Sequence, residues 1–144
     1  MNLGIYDCSN GVINILHCEG DLMVRTSSIN DMLLIDKLQK ENSYAVGFIQ
    51  KTIWENYVFG GERNFVVFIA EKNNDPVGYV LITPGKGIKT YGKIQQIAVR
   101  DDARRLSYGN ALIKVCRDFC NYYGIKGFTL RCRTDLESNH FWKS

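Results

Sequence analysis

The residues best suited to chemistry lie in "AVRDDARRLSYGNALIKVC", Ala98–Cys116. An apolar run ends there in a basic, Gly-containing turn and restarts at once as a helix. The first turn of a helix presents N–H groups with no intrahelical partner at the positive end of the helix dipole, and the two together favour a bound phosphate. Ser107, Tyr108, Gly109 and Asn110 stand at that start. Gly109 lets a ligand approach the backbone closely, and Arg104 and Arg105 offer charge-assisted bonds to phosphate oxygens. Tyr108 either stacks over a ligand or covers the helix start. The plain alternative is a strand joined to a helix through a solvated turn, since a short glycine pattern alone is weakly specific.

No other set of residues forms a comparable constellation. The five cysteines, at positions 8, 18, 116, 120 and 132, are odd in number and contain no C-x-x-C, which predicts reduced, mostly buried thiols rather than a disulfide framework. Cys116 and Cys120 are one helical turn apart but have no His or carboxylate at ligand spacing, so packing is expected there and no metal. His17 and His140 belong to no metal or triad pattern. The three lysines of "KGIKTYGK" read as a solvated loop.

The totals set the frame for that turn. A chain of 144 residues, 45% hydrophobic and 23% charged, reads as one globular domain over 1–144, with 1–21 as an N-terminal hairpin extension. A net charge of +3 permits an anionic ligand but is not the concentrated basic stripe that nucleic acid requires. Apolar runs such as Phe65–Ala70 are strand-sized, far short of a membrane span, and Asp7, Ser9 and Asn10 interrupt any signal peptide. A cytoplasmic protein without membrane contact is expected.

The elements that must position the turn follow from periodicity. A hairpin about Cys8–Gly11, with "GVINILH" as its second strand, is expected first, then "DLMVR". Ser27-Ser28, with Asp31 three residues after Ser28, signals a helix start, and the helix runs through Met32, Leu33, Ile35 and Leu38 to about Lys40. A second helix is expected from near Thr52, capped with Glu55, showing Ile53, Trp54, Tyr57 and Val58 on its apolar face and ending at Gly60-Gly61. "NFVVFIAEK", the turn "NNDP" and "VGYVLIT" predict a hairpin, and after the loop 85–92 "KIQQIAV" is the strand that enters the basic turn. The helix from about Gly109 to Tyr123 turns Leu112, Val115, Cys116, Phe119 and Tyr123 to one side, and Gly124 ends it. "GFTLRCR" is a further strand, and "SNHFWKS" opens a last helix. The order β-α-α-β-β-β-α-β-α is mixed α/β.

In that order, "IQQIAVRDDARRLSYGNALIKVC" resembles the acyl-CoA-binding core of the GNAT-type N-acetyltransferases: a strand, then Q/R-x-x-G-x-G/A, then a long helix. Arg104 takes the Q/R place and Gly109 that of the second Gly, while Ser107 replaces the first Gly and is expected to fit with a negative φ. "AEKNNDPVGYVLI" looks like the family's central hairpin, with its Gly after the turn. "RTDLESNHFWKS" looks like the N-x-x-A-x-x-F-Y segment, with Asp135, Ser138, Phe141 and Trp142 at its four places. The resemblance covers about Leu22 to Ser144 and implies the GNAT fold, a mixed central sheet flanked by helices. Because family members continue past F-Y into another strand, it also implies a missing C-terminal strand. An open sheet edge beside Gly127–Arg133, or a strand supplied by a second copy in a homodimer, is therefore expected.

The same resemblance implies a site. The turn formed by Arg104, Arg105, Leu106, Ser107, Tyr108, Gly109 and Asn110 would hold the CoA pyrophosphate. The main chain of Ile97, Ala98 and Val99 would bond the pantetheine arm, and the Ile97 N–H would polarise the acyl oxygen. Trp142, also placed at the cofactor, stands where the family has a Tyr acid, and an indole cannot protonate a thiolate. Lys93, Gln95 and Gln96 occupy the strand where many members carry a carboxylate base. Gln96 is the candidate for orienting an acceptor or a water chain, against the alternative of a polar strand face. The implied activity is transfer of an acyl group from acetyl-CoA, or another acyl-CoA, to an amine of a small molecule or protein, without a metal. Two alternatives remain: modification of a DNA base, as in some relatives from phages, and a CoA-binding regulatory module without turnover.

Overall fold

A computed structural model describes residues 3–42, 48–59, 65–84, 91–103 and 107–130. Its centre is one six-stranded sheet in the order β1-β2-β3-β4-β5-β6. The strands are β1 (Ile15–Glu19), β2 (Leu22–Thr26), β3 (Val66–Lys72), β4 (Asp75–Thr83), β5 (Tyr91–Val99) and β6 (Gly127–Leu130). Neighbours are antiparallel except β5 and β6, which are parallel. β3 and the middle of β4 are buried on both faces, which is why "VVFIA" and "VGYVLI" read as continuous rather than alternating apolar runs. This is the mixed α/β sheet that the element order implied.

Helices cover the two faces. On one lie α1 (Met32–Glu41) and α2 (Lys51–Ile53), with Met32, Ile35, Leu38 and Trp54 packed on Val67, Ile69, Tyr79, Leu81 and Ala98. On the other lies α3 (Tyr108–Tyr123), with Leu112, Val115, Cys116 and Phe119 packed on Phe68, Ala70, Val80 and Ile82. The buried side of α3 matches its expected periodicity, and Gly124 ends it at φ +68°.

The N-terminal region departs from expectation. The first hairpin turns at Gly20-Asp21, between β1 and β2, and not at Cys8–Gly11. Residues 3–8 instead cross between the two cores: Leu3 and Tyr6 are buried on the α3 side, and Cys8 is buried on the α1 side with its Sγ 3.8 Å from the Val58 carbonyl oxygen. "DCSNG" forms only a local turn at Ser9-Asn10, with no strand before it, in which the Asp7 carboxylate accepts from the Ser9 N–H and the Asn10 side chain from the Val12 N–H. Burial of Tyr6 and Cys8 outweighs the local hairpin signal.

Ser28 does open the first helix. Its side chain accepts from the Asn30 N–H, and Asp31 bonds back to the Ser28 N–H at 2.9 Å, so a 3₁₀ turn (Ile29–Asp31) leads into α1. Arg25 ties this cap to the sheet: its Nη1 and Nη2 donate to Asp31 at 3.0 and 2.8 Å, and its Nε donates to Glu71 of β3. Leu33, expected with the apolar residues of α1, is 87% exposed. The cap of α2 is Gln50 rather than Thr52, and α2 widens into a π-helical turn, Trp54–Val58, that buries Trp54 and Val58 while Ile53 stays exposed. Between β3 and β4 the two-residue turn Asn73-Asn74, both with positive φ, is tighter than the four-residue turn expected. Gly60-Gly61, most of the loop 85–92, the end of "GFTLRCR" and the last helix lie outside the described residues. Among the described strands β1 and β6 are the two edges.

Candidate active site

The site begins with the register of β4 against β5. Gly78 lies opposite Val99, Tyr79 opposite Ala98, Val80 opposite Ile97 and Leu81 opposite Gln96, but Ile82 is then opposite Ile94. Gln95 is therefore the extra residue of a β-bulge. The bulge resets the alternation of β5. Ile94, Ile97 and Val99 pack toward α3, while Gln96 and Ala98 turn toward α1. Gly78 has its own reason: a Cβ there would lie 2.9 Å from the Ala98 carbonyl oxygen and 3.1 Å from Val99 Cγ2, so glycine alone lets β4 lie this close.

The main-chain directions follow from one bond. The Arg100 N–H donates to the Val77 carbonyl at 2.7 Å. Alternation along an antiparallel ladder then turns the Ala98 N–H toward β4 and the N–H groups of Ile97 and Val99 away from it. On that far side β6 pairs with Tyr91–Ile94 only, Leu130 being its last described partner. The Ile97 N–H thus faces the side of β5 where the described β6 has already ended. This is the direction needed by a donor to an acyl oxygen.

The turn is anchored at its entry. The Arg100 guanidinium binds both carboxylate oxygens of Asp102, at 2.8 and 2.9 Å, and Asp75 at 2.9 Å, and these partners push its pKa up. A 3₁₀ turn (Asp101–Ala103) follows; Arg104, Arg105 and Leu106 lie outside the described residues. Ser107 reappears at φ +75°, ψ 3°, in the left-handed region and not at the negative φ expected of a serine. The backbone here keeps the conformation that a glycine adopts freely, and the serine is accommodated within it.

At the start of α3 the first intrahelical bond runs from the Ala111 N–H to the Ser107 carbonyl at 3.0 Å. The N–H groups of Tyr108, Gly109 and Asn110 precede it, and the Ser107 side chain does not cap the helix. Gly109 is half-buried and Asn110 exposed, while Tyr108 is buried in the core with Ala103 and Leu112. Of the two roles open to Tyr108, the geometry matches covering the helix start. A strand N–H facing away from its ladder partner and a first turn of donors are thus joined by one short connection, an arrangement suited to a thioester and a phosphate of one extended ligand.

Gln96 is 2% exposed, and its amide is engaged: Oε1 accepts from the Tyr79 hydroxyl at 2.8 Å, and Nε2 donates to Gln39 Oε1 at 3.0 Å. Burial pushes the Tyr79 hydroxyl pKa up, so it acts as a neutral donor. Gln95 donates from Nε2 to the Thr83 hydroxyl at 3.3 Å, and Lys93 is exposed. Gln39 and Tyr79 were not among the candidates read from the sequence. A signal for Gln39 existed, because it falls four residues after Ile35 and seven after Met32, on the buried side of α1.

The remaining candidates stay apart. Cys116 and Cys120 lie in the α3 core, where burial raises both thiol pKa values, and burial likewise takes Cys8 to about 11. His17 reaches Glu19 at 3.6 Å on the edge strand β1. His140 and Trp142 lie outside the described residues. Among the described residues no group of three His, Cys, Asp or Glu side chains is placed to hold a metal, and no helix is long and apolar enough to cross a membrane.

Comparison with solved structures finds this architecture in acetyltransferases. An aminoglycoside acetyltransferase from an uncultured soil metagenomic sample superposes with a TM-score of 0.68 at 19% identity, over 88% of each chain. A possible acetyltransferase from Clostridium difficile 630 gives 0.65 at 16% identity, over 85% of this chain and 87% of that one. The N-acetylglutamate synthase of Neisseria gonorrhoeae, complexed with coenzyme A and N-acetyl-glutamate, gives 0.71 at 17% identity, over 88% of this chain and 28% of that one. No curated protein matches the chain in sequence. The model of the acetyltransferase (GNAT) family matches residues 30–144, a span that holds α1 through β6 and the whole basic turn, and the chain belongs to that family.

Proposed function

We propose that the chain transfers an acyl group from acetyl-CoA to the amine of a small molecule or protein. The observation that carries this reading is the closeness in sequence of two donor sets, the outward Ile97 N–H on β5 and the first turn of α3, which the Ser107 side chain leaves uncapped. CoA supplies an acyl group activated as a thioester. The chain's part is to hold its phosphates at the N–H groups of Tyr108, Gly109 and Asn110, with Arg104 and Arg105 adding charge from the same turn, and its pantetheine arm along Ile97–Val99. The Ile97 N–H stabilises negative charge that develops on the acyl oxygen as a neutral amine attacks. A held amine and thioester gain a large effective molarity, so positioning carries much of the rate.

Among the described residues, those near β5 offer no conventional base. Gln96 is bound into a buried amide chain, and Asp75 and Asp102 are engaged by Arg100. This favours an acceptor that reaches the site already neutral, or whose proton leaves through water. Trp142, placed by the family pattern beside the thiol end of the cofactor, would pack against it rather than protonate it.

The test is a thiol-release assay with acetyl-CoA and amines drawn from the structural neighbours. The panel holds an aminoglycoside, glucosamine 6-phosphate, glutamate and a peptide beginning with alanine, after neighbours named for acting on aminoglycosides, glucosamine 6-phosphate and ribosomal-protein alanine and one that makes N-acetylglutamate. Release that depends on an amine supports the enzyme. Tight CoA binding with no amine-dependent release supports the regulatory module instead.

A further inference from the structure

A buried amide chain crosses from the sheet to the segment ahead of α2. The Tyr79 hydroxyl of β4 donates to Gln96 Oε1 of β5, and Gln96 Nε2 donates to Gln39 Oε1 of α1. Gln39 then closes on one residue: its Oε1 accepts from the Ile49 N–H at 2.9 Å, and its Nε2 donates to the Ile49 carbonyl at 3.2 Å. Tyr79 and Gln39 are fully buried and Gln96 nearly so. Buried amides are costly to desolvate, so each bond is one the fold must make.

Ile49 belongs to no helix or strand, yet its main chain is bonded as a neighbouring strand would bond it. The clamp fixes Phe48–Gln50, a segment that presents a half-exposed Phe48 and leads directly into α2. Toward the sheet the chain passes through Gln96, the residue before Ile97, and ends at Tyr79. The bulge at Gln95 is what turns Gln96 toward α1 while Ile97 faces α3.

From this geometry, and resting on the acyltransferase reading above, we infer that Gln39 is a positioning residue for the acceptor. It holds Phe48–Gln50 as the acceptor-side wall in fixed register with the Ile97 donor, so that amine and thioester meet at one height along β5. It touches neither ligand and acts through Ile49 and Gln96.

Gln39→Leu keeps the bulk and removes both bonds to Ile49. In the full-length variant, exchange of the Ile49 amide should accelerate about tenfold, the factor that corresponds to one hydrogen bond, while amides of β3 and β4 keep their protection. KM for the best amine of the panel should rise about tenfold, with CoA affinity within about twofold of the wild type. Gln39→Glu provides a second variant: a protonated carboxyl can still accept from the Ile49 N–H and donate to the Ile49 carbonyl, whereas the ionised form loses that donor and sets a charged oxygen against the carbonyl, pushing the segment away. Its Ile49 protection should therefore approach that of the wild type at low pH and fall as the carboxyl ionises. Unchanged Ile49 exchange in folded Gln39→Leu overturns the clamp. Faster exchange with unchanged amine KM overturns the acceptor role, as does equal weakening of amine and CoA. Absence of turnover in the wild type removes the acyltransferase reading and the acceptor role with it, while Ile49 exchange still decides the clamp.

Discussion

Replacing Ser107 by glycine should stabilise the protein. Ser107 sits at φ +75°, and its side chain makes no capping bond to the helix it precedes. A residue with a Cβ pays about 1–2 kcal/mol to adopt left-handed backbone. Glycine removes that strain but loses more conformational freedom on folding, an offset of roughly 0.5–1 kcal/mol. The net gain is about 0.5–1 kcal/mol, which for a chain of this size is a rise in Tm of about 2–3 °C. Ser107→Ala retains the Cβ and should leave Tm within about 1 °C, a shift below about 0.5 kcal/mol. CoA affinity should change little with glycine, since the donors are main-chain N–H groups. Thermal melts of the three proteins, with CoA titration alongside, provide the assay. A lower Tm for Ser107→Gly, or an equal rise for Ser107→Ala, would refute the reasoning.

Two further substitutions test what holds the site in place. Arg25→Met leaves Asp31 and Glu71 side by side, each about nine-tenths buried, and should cost about 3–5 kcal/mol in urea melts at pH 7. In the wild type, burial raises the Asp31 pKa, but bonds from Arg25 and the Ser28 N–H more than reverse it, so its contribution is present at neutral pH and fades only as pH falls below the ordinary carboxylate value of about 3.9. Without Arg25 the burial remains and the carboxyl moves up, so the variant's deficit should shrink between pH 7 and pH 5, and a deficit that grows would contradict this account. Gly78→Ala presses a methyl on the Ala98 carbonyl and on Val99, and should cost about 1–3 kcal/mol. It should also weaken CoA binding, because the displaced residues are those proposed to hold the pantetheine arm; a loss of stability with intact affinity would separate the two.

The parts of this fold legible in the sequence were those where local and tertiary signals agree. Ser28 and Asp31 form the cap their spacing implies, and the apolar positions of α3 face the core. "NFVVFIAEK" and "VGYVLIT" became central strands because nothing polar interrupts them. Failures arose where long-range burial chose among local options. "CSNG" resembles a hairpin turn, but Tyr6 and Cys8 gain more by entering opposite cores than by pairing locally. The bulge at Gln95 interrupts the period-two alternation, so a strict alternation from Ile94 would have placed Gln96 on the α3 face, and its turn toward α1 follows only from the register with β4. Ser107 shows the reverse case. A serine at a glycine position suggested a changed backbone, whereas the backbone is retained and the side chain bears the strain.

The central claim is that the start of α3 holds the phosphates of CoA. Calorimetric titration of CoA into the wild type and Gly109→Val, with thermal melting as the control on folding, tests it most directly. The valine places a branched side chain where the ligand must approach the backbone, on a residue that the core only half covers. The wild type should bind CoA, and the folded variant should bind it at least about tenfold more weakly, a change of about 1.4 kcal/mol. A folded Gly109→Val protein that binds CoA as tightly as the wild type would contradict the account and leave the basic turn as a solvated connection between β5 and α3.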